Sequence, residues 1–272
     1  MYKLDFTKPV NVHFMGIGGI SMSGLAEILH DRGFKVTGSD RSKSSITEAL
    51  SEKGISIKYG QVKENITDDI DLLVYTAAIS ADNEELLEAK RRGIECISRA
   101  DMLGQIMKNY KVPIAVSGTH GKTTTTSMIA TILMEAESDP TVTVGGMLEC
   151  IGGNLKIGQS DLFLTEACEY TNSFLSFFPK IEVILNIEED HLDFFKDIND
   201  IRNSFRRFSE IPGEDGLLII SADIDNYEEI VKDAKCKVIT FGNSEKADYQ
   251  AAKLEFDEKG MARFNVSRNG NI

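Results

Sequence analysis

No apolar run in this chain approaches the length of a membrane span, and residues 1–9 lack the hydrophobic stretch of a secretion signal. The expectation is a cytoplasmic protein with no membrane partner. Cysteine is scarce too. Cys96, Cys150, Cys168 and Cys236 stand apart with no C-x-x-C spacing, which excludes a disulfide framework and a cysteine-held zinc site. Positive charge is the third shortage: 30 Lys and Arg face 43 Asp and Glu, a net charge of −13. Such a surface offers no broad footprint for nucleic acid, so a phosphate-bearing ligand must be held locally by backbone amides and a few placed cations. What is present is ordinary for a globular protein: 272 residues, 42% hydrophobic and 27% charged, enough for two domains. No feature specifies an oligomeric state.

Short apolar runs alternate with amphipathic segments from the start. Strands are expected at 10–15, 34–38, 55–59, 71–76 and 94–97, with helices near 21–31, 45–52, 83–92 and 100–108. Ser45 with Glu48, and Ser98 with Asp101, have capping-box spacing. Such alternation predicts a parallel sheet covered on both faces. A second parallel α/β series is expected to follow, with strands at 112–117, 141–144, 162–165, 181–186, 217–221 and 237–241 and helices at 123–137 and 198–208. Past Gly242 the period changes to two, and Asp257 to Gly260 reads as the turn of an antiparallel hairpin. Asn269-Gly270 is a second turn signal with only two residues after it, which suggests a truncated polypeptide. The division expected is 1–109 and 110–272.

The most informative segment is Val112 to Ser127, a buried strand, a glycine loop and a helix start. Gly118 and Gly121 let Thr119, His120 and the following amides turn inward. The helix start adds partial positive charge, Lys122 can reach terminal phosphates, and Thr123, followed by Thr124, can hold Mg²⁺. The common pattern has a glycine five residues before Gly121, whereas this chain has Val116. The loop is therefore a shortened Gly-Thr-x-Gly-Lys-Thr variety of nucleotide-phosphate site.

Gly16, Ile17, Gly18, Gly19, Ile20, Ser21 and Met22 follow the first strand and open the first helix, a placement that suits a diphosphate. Ser21 stands where a dinucleotide fingerprint has Gly or Ala. Asp40 ends the second strand, where a ribose-binding acid or a plain turn residue would sit. Alone, this loop fits a nicotinamide oxidoreductase as readily as a non-redox nucleotide. The phosphate loop a hundred residues later favours a nucleotide-linked substrate joined to ATP chemistry.

Glu166 ends an apolar run, at the sheet edge where parallel folds present catalytic groups, and can serve Mg²⁺. Glu169 reads equally as an ordinary surface acid. Asn186, Asp190, His191 and Asp193 cluster after the next strand. Mg²⁺ prefers oxygen, so His191 is a second-best ligand on chemistry alone. His120 either contacts phosphate or faces solvent, and His13 and His30 read as structural.

Five segments occur in one order: Gly16 to Gly24, Thr76 to Ser80 with Ala78, Gly118 to Thr126, Glu166 to Tyr170, and Asn186 to His191. Together they resemble the Mur ligases of peptidoglycan synthesis, and His120 is similar to the alanine-adding branch. Cys168 and Tyr170 depart from the Glu-Ala-Asp-Glu-Ser form common there. The resemblance implies a Rossmann-like UDP-sugar domain followed by a P-loop NTPase-like central domain, here incomplete, and a third domain absent. The implied activity is ATP-dependent joining of L-alanine to UDP-N-acetylmuramate. By resemblance, Gly16 to Met22, Asp40, Ala78 and Ser80 bind the UDP-sugar. Gly118 to Thr124 and Asn186 bind ATP. Lys122, Glu166 and His191 are catalytic, and Thr123, Glu166 and His191 hold Mg²⁺. A ligase that attaches a recycled peptide to the same sugar, or a non-catalytic UDP-sugar-binding fragment, remain alternatives.

Overall fold

The computed structural model describes residues 2–268, so the Asn269-Gly270 turn lies outside the described residues. Two compact units divide the chain.

The first comprises residues 1–110 with 141–159. It runs β1 (Asn11–Met15), α1 (Ile20–Asp31), β2 (Lys35–Asp40), α2 (Ser45–Glu52), β3 (Ser56–Tyr59), β4 (Leu72–Tyr75), α3 (Glu84–Arg91), β5 (Glu95–Ser98) and α4 (Arg99–Met107). The sheet order β3-β2-β1-β4-β5 is parallel throughout. Strand order reverses between β1 and β4, the place where such sheets open a crevice for ligand at their carboxyl ends. Phe14, Met15, Leu72, Leu73 and Val74 are fully buried, as strands covered on both faces require. The capping box at α4 forms between Ser98 and Asp101. At α2 the box is Ser44 with Thr47, not Ser45 with Glu48. The helix begins at Ser45, so the preceding serine supplies the cap, and Glu48 pairs with Lys43 instead, 2.7 Å away.

The second unit comprises residues 111–140 with 160–272. Its elements are β6 (Val112–Ser117), α5 (Lys122–Glu135), β9 (Leu162–Glu166), β10 (Ile181–Ile184), α6 (Ile198–Ser209), β11 (Leu217–Ser221), α7 (Tyr227–Val231), β12 (Lys237–Phe241), β13 (Tyr249–Phe256) and β14 (Ala262–Arg268). The strand order β14-β13-β12-β11-β10-β6-β9 is parallel up to the antiparallel β13–β14 hairpin. Between α5 and β9, β7 (Thr141–Leu148) and β8 (Gly153–Lys156) pair antiparallel and pack with the first unit. There the Tyr110 hydroxyl reaches Thr141 Oγ1 at 3.1 Å and Arg32 donates to the Gly158 carbonyl at 2.9 Å. The second series is thus not uniformly parallel. Strand β10 also stops at Ile184, which frees Asn186 for the loop beyond it.

Under α6 the rings of Phe174 and Phe208 stack at 4.3 Å, with Phe205 edge-on to Phe174 at 5.3 Å. Each buried ring contributes roughly 1.5–3 kcal/mol, enough to pin the β9–β10 connection to the core. That connection carries Glu169 and Tyr170.

Candidate active site

Helices α2, α3, α4 and α6 are capped by the side chains of Ser44, Asn83, Ser98 and Asp197. Helices α1 and α5 are not: glycines 19 and 121 precede them and supply no side chain. The first backbone bond into α5 is Thr125 N–H to the Gly121 carbonyl, which leaves the amides of Lys122, Thr123 and Thr124 as first-turn donors. At α1 the corresponding bond is Ser23 to Gly19, leaving Ile20, Ser21 and Met22. Both units therefore offer an anion the same device.

Around α5 the loop is held from below. Gly118 has φ +136, and a Cβ there would lie 3.0 Å from Leu185 Cβ and 3.1 Å from the Asn186 amide nitrogen. Asn186 accepts the His120 N–H at 2.7 Å and donates to the His120 carbonyl at 3.0 Å, so its side chain shapes the loop from the backbone side. Thr119 is buried and its hydroxyl accepts the Glu188 N–H at 2.9 Å. The exposed His120 ring faces Glu188 at 3.6 Å.

Register places Glu166 beside Val116 near the end of β6, and the Thr123 hydroxyl donates to its carboxylate at 3.0 Å. The Lys122 ammonium donates to Glu169 at 3.0 Å, to the Thr119 carbonyl at 3.1 Å and to the Gly118 carbonyl. Glu169 is only 2% exposed. The surface-acid reading of Glu169 is thereby corrected: the loop lysine brings it inside, and a buried carboxylate needs such a partner. Glu169, Asp190 and His191 each offer a ligand atom within 4.8 Å of the others, whereas Glu166 stands with Thr123 outside that trio. His191 has φ 53, and its ring centroid lies 4.5 Å from that of Tyr170. Neither the burial of Glu169 nor this ring contact has a signal in local sequence.

In the first unit, Gly16 and Ile17 donate to the Ser39 carbonyl at 2.8 and 3.1 Å, and Gly18 donates to Asp40 Oδ2 at 2.8 Å. Asp40 thus braces the glycine loop. The side chains of Ile17 and Met22 are buried in the core, whereas Gly19, Ile20 and Ser21 face solvent. The Thr76–Ser80 loop follows β4 across the switch point; Thr76 Oγ1 takes the Ala78 N–H at 3.0 Å, and Ser80 bonds Asp82. Ala78 and Ser80 are exposed. His13 is buried, as a structural histidine should be, with Nδ1 2.9 Å from the Thr37 hydroxyl.

Parallel sheets that end in glycine loops and uncapped helices, one with a Lys-Thr-Glu constellation, define a nucleotide-phosphate-binding α/β protein. Residues 11–111 match the Mur ligase family, catalytic domain, and residues 116–272 match the Mur ligase middle domain. The chain belongs to the Mur ligase family, as its motifs imply. It is 56% identical over 271 residues, 100% of the chain, to the UDP-N-acetylmuramate–L-alanine ligase of Agathobacter rectalis. With the ligase of the same name from Clostridium botulinum it shares 53% over 267 residues, 97% of the chain. It spans 59% and 58% of the lengths of those relatives. The UDP-N-acetylmuramate-alanine ligase structure from Thermotoga maritima matches with a TM-score of 0.77 at 29% identity, covering 96% of this chain and 58% of that one. The UDP-N-acetylmuramate:L-alanyl-gamma-D-glutamyl-meso-diaminopimelate ligase from Neisseria meningitides gives 0.85 at 27% identity, covering 97% and 86%.

Proposed function

We propose that this chain carries the sugar-nucleotide domain, residues 1–109, and the ATP domain, residues 110–272, of a cytoplasmic ligase that joins L-alanine to the lactyl carboxylate of UDP-N-acetylmuramate. The observation that carries the reading is the constellation at α5, where Lys122 and Thr123 open an uncapped helix and the Thr123 hydroxyl meets Glu166 at 3.0 Å. The 56% identity to an alanine ligase supports the choice of amino acid. Among the described residues no helix is long and apolar enough to cross a membrane.

In this reaction the lactyl carboxylate attacks the γ-phosphate of ATP, releasing ADP and leaving an acyl phosphate. The amine of L-alanine then attacks the acyl carbon, and phosphate departs as the amide forms. Little covalent help is needed from the protein, so its residues act by position and charge. The amides of residues 118–124 and the Lys122 ammonium bind the β- and γ-phosphates, and Asn186 keeps the loop in shape for them. Thr123 and Glu166 would hold one Mg²⁺, and Glu166 with His191 a second. The Thr123 hydroxyl and the Glu166 carboxylate, 3.0 Å apart, are oxygen donors of the kind a divalent cation prefers, and His191 stands in a separate trio with Glu169 and Asp190 whose ligand atoms lie within 4.8 Å of one another. When bound, the ions neutralise phosphate charge. In the first unit the free amides of Ile20, Ser21 and Met22 take the UDP diphosphate on a loop held by Gly16 to Gly19 and Asp40, with Ala78 and Ser80 across the switch point.

Phosphate release by a chain of full family length tests the reading. Release should require UDP-N-acetylmuramate, ATP, Mg²⁺ and L-alanine together, and Lys122→Ala should abolish it while sparing UDP-sugar binding. Release with a murein peptide and none with L-alanine would transfer the assignment to the peptide-attaching ligase.

A further inference from the structure

Tyr170 follows Glu169 on the β9–β10 connection, and its ring reaches across to the β10–α6 connection. It lies against His191 with centroids 4.5 Å apart and planes inclined by 33°. Its hydroxyl donates to Asp193 Oδ2 at 2.7 Å, and Phe194 packs edge-on against it at 6.1 Å. One side chain from the β9–β10 connection thus grips three residues of the β10–α6 connection.

The grip has something to hold. His191 is in the left-handed backbone region at φ 53, which non-glycine residues seldom adopt without outside support. Its carbonyl accepts the N–H groups of Phe194 and Phe195, both at 2.9 Å, closing a tight turn that fixes where the side chain leaves the backbone. The remaining freedom is rotation of the imidazole. Tyr170 has a rigid mount from which to limit it: Phe174, four residues on, is stacked into the core on Phe208, and Asn172 bonds Ser204 of α6.

We propose that Tyr170 is a positioning residue that fixes the orientation of the His191 imidazole, and through it the aim of His191 toward a divalent cation shared with its carboxylate neighbours. The second half rests on the function proposed above; the first half stands on the ring contact alone.

Proton NMR of the His191 ring, assigned by its loss in His191→Gln, tests both, with Mn²⁺ as the probe. In the unaltered chain the His191 ring signals should be shifted upfield by the Tyr170 ring current and broadened selectively by Mn²⁺. Tyr170→Phe retains the ring and should retain both effects. Tyr170→Ser should lose the upfield shift and require about tenfold more Mn²⁺ for equal broadening, as loss of a supporting contact does at metal sites. Tyr170→Leu removes the aromatic ring and keeps apolar bulk in its place. It should lose the shift and weaken the Mn²⁺ response as the serine variant does, and it carries the test should the serine variant not fold. A serine variant with an unchanged His191 shift and Mn²⁺ response overturns the proposal, as does a leucine variant with both unchanged where only that variant folds. A ring shift that follows Tyr170 as described, with no Mn²⁺ response in the unaltered chain, upholds the positioning role and overturns the metal role of His191.

Discussion

The Lys122 ammonium lies 3.0 Å from the carboxylate of Glu169, a side chain only 2% exposed. In the function proposed above, Lys122 exchanges this acid for phosphate. Its other donors go to the Gly118 and Thr119 carbonyls, so the ammonium sits folded over its own loop. Removing the lysine strands a buried carboxylate, which typically costs about 3–5 kcal/mol, less here because Lys122 keeps 16% of its side chain exposed. Lys122→Ala should lower the denaturation midpoint, and Glu169→Gln added to it should restore most of the loss. A double-mutant cycle by urea denaturation measures the coupling, expected at about 1 kcal/mol or more. Independent, additive effects would mean that the pair is not an energetic unit.

The same lysine predicts a ligand effect. Glu169→Gln releases the ammonium from its strongest competitor, so ADP binding without Mg²⁺ should tighten by several-fold in calorimetry. Thr123→Val with Glu166→Gln should behave differently, leaving Mg²⁺-free binding unchanged and cutting the gain from Mg²⁺ by about tenfold. Equal behaviour of the two variants would contradict separate roles for the two acids.

How far the sequence alone reaches is visible in these two glutamates. Glu166 is legible because a strand end beside a phosphate loop leaves an acid few other tasks, and register with Val116 puts it there. Glu169 is not legible, because its partner Lys122 is 47 residues away and no local pattern marks a polar turn residue as buried. The same limit governs the fold. The loops at Gly16 and Gly118 follow from glycine spacing after a strand, and the Ser98–Asp101 cap follows from hydroxyl and acid three residues apart. The β7–β8 hairpin does not: Gly145 and Gly146 break the apolar pattern, yet β7 continues through them to Leu148 because Thr143 and Leu148 find partners in Leu155 and Gly153. The Tyr170–His191 contact likewise joins two connections that only tertiary structure brings together.

Gly18 offers a test of the sugar-nucleotide loop that leaves the ATP loop untouched. A Cβ at this position would lie 2.8 Å from Asp40 Oδ2 and 2.9 Å from Thr47 Cγ2. The Asp40 carboxylate must shift, and the Gly18 N–H bond that braces the loop at 2.8 Å goes with it. Gly18→Ala should cost about 1–3 kcal/mol of stability, the usual range for overpacking. It should weaken UDP-N-acetylmuramate binding and leave ADP binding intact, which parallel calorimetric titrations would resolve. Loss of both ligands together would argue against separate sites.

Glu182 supplies a pH dependence unrelated to either loop. It lies on β10 between Ala115 of β6 and Leu218 of β11, fully buried, and neither carboxylate oxygen has a hydrogen-bond partner. Burial pushes its carboxyl well above the ordinary value of 4.5. The folded protein therefore keeps this proton after the unfolded chain has lost it. Stability falls as pH rises past the unfolded value, by about 1.4 kcal/mol per unit, until the folded carboxyl also ionises. Glu182→Gln removes the titration and Glu182→Leu also removes the unpaired oxygens, so both should raise the denaturation midpoint at neutral pH, the leucine by roughly 1–3 kcal/mol. Their advantage should shrink as pH is lowered toward 4.5, where both states of the unaltered chain hold the proton. Urea denaturation at a series of pH values gives the answer, and a gap between variant and unaltered chain that stays constant with pH would show that Glu182 is charged in the fold.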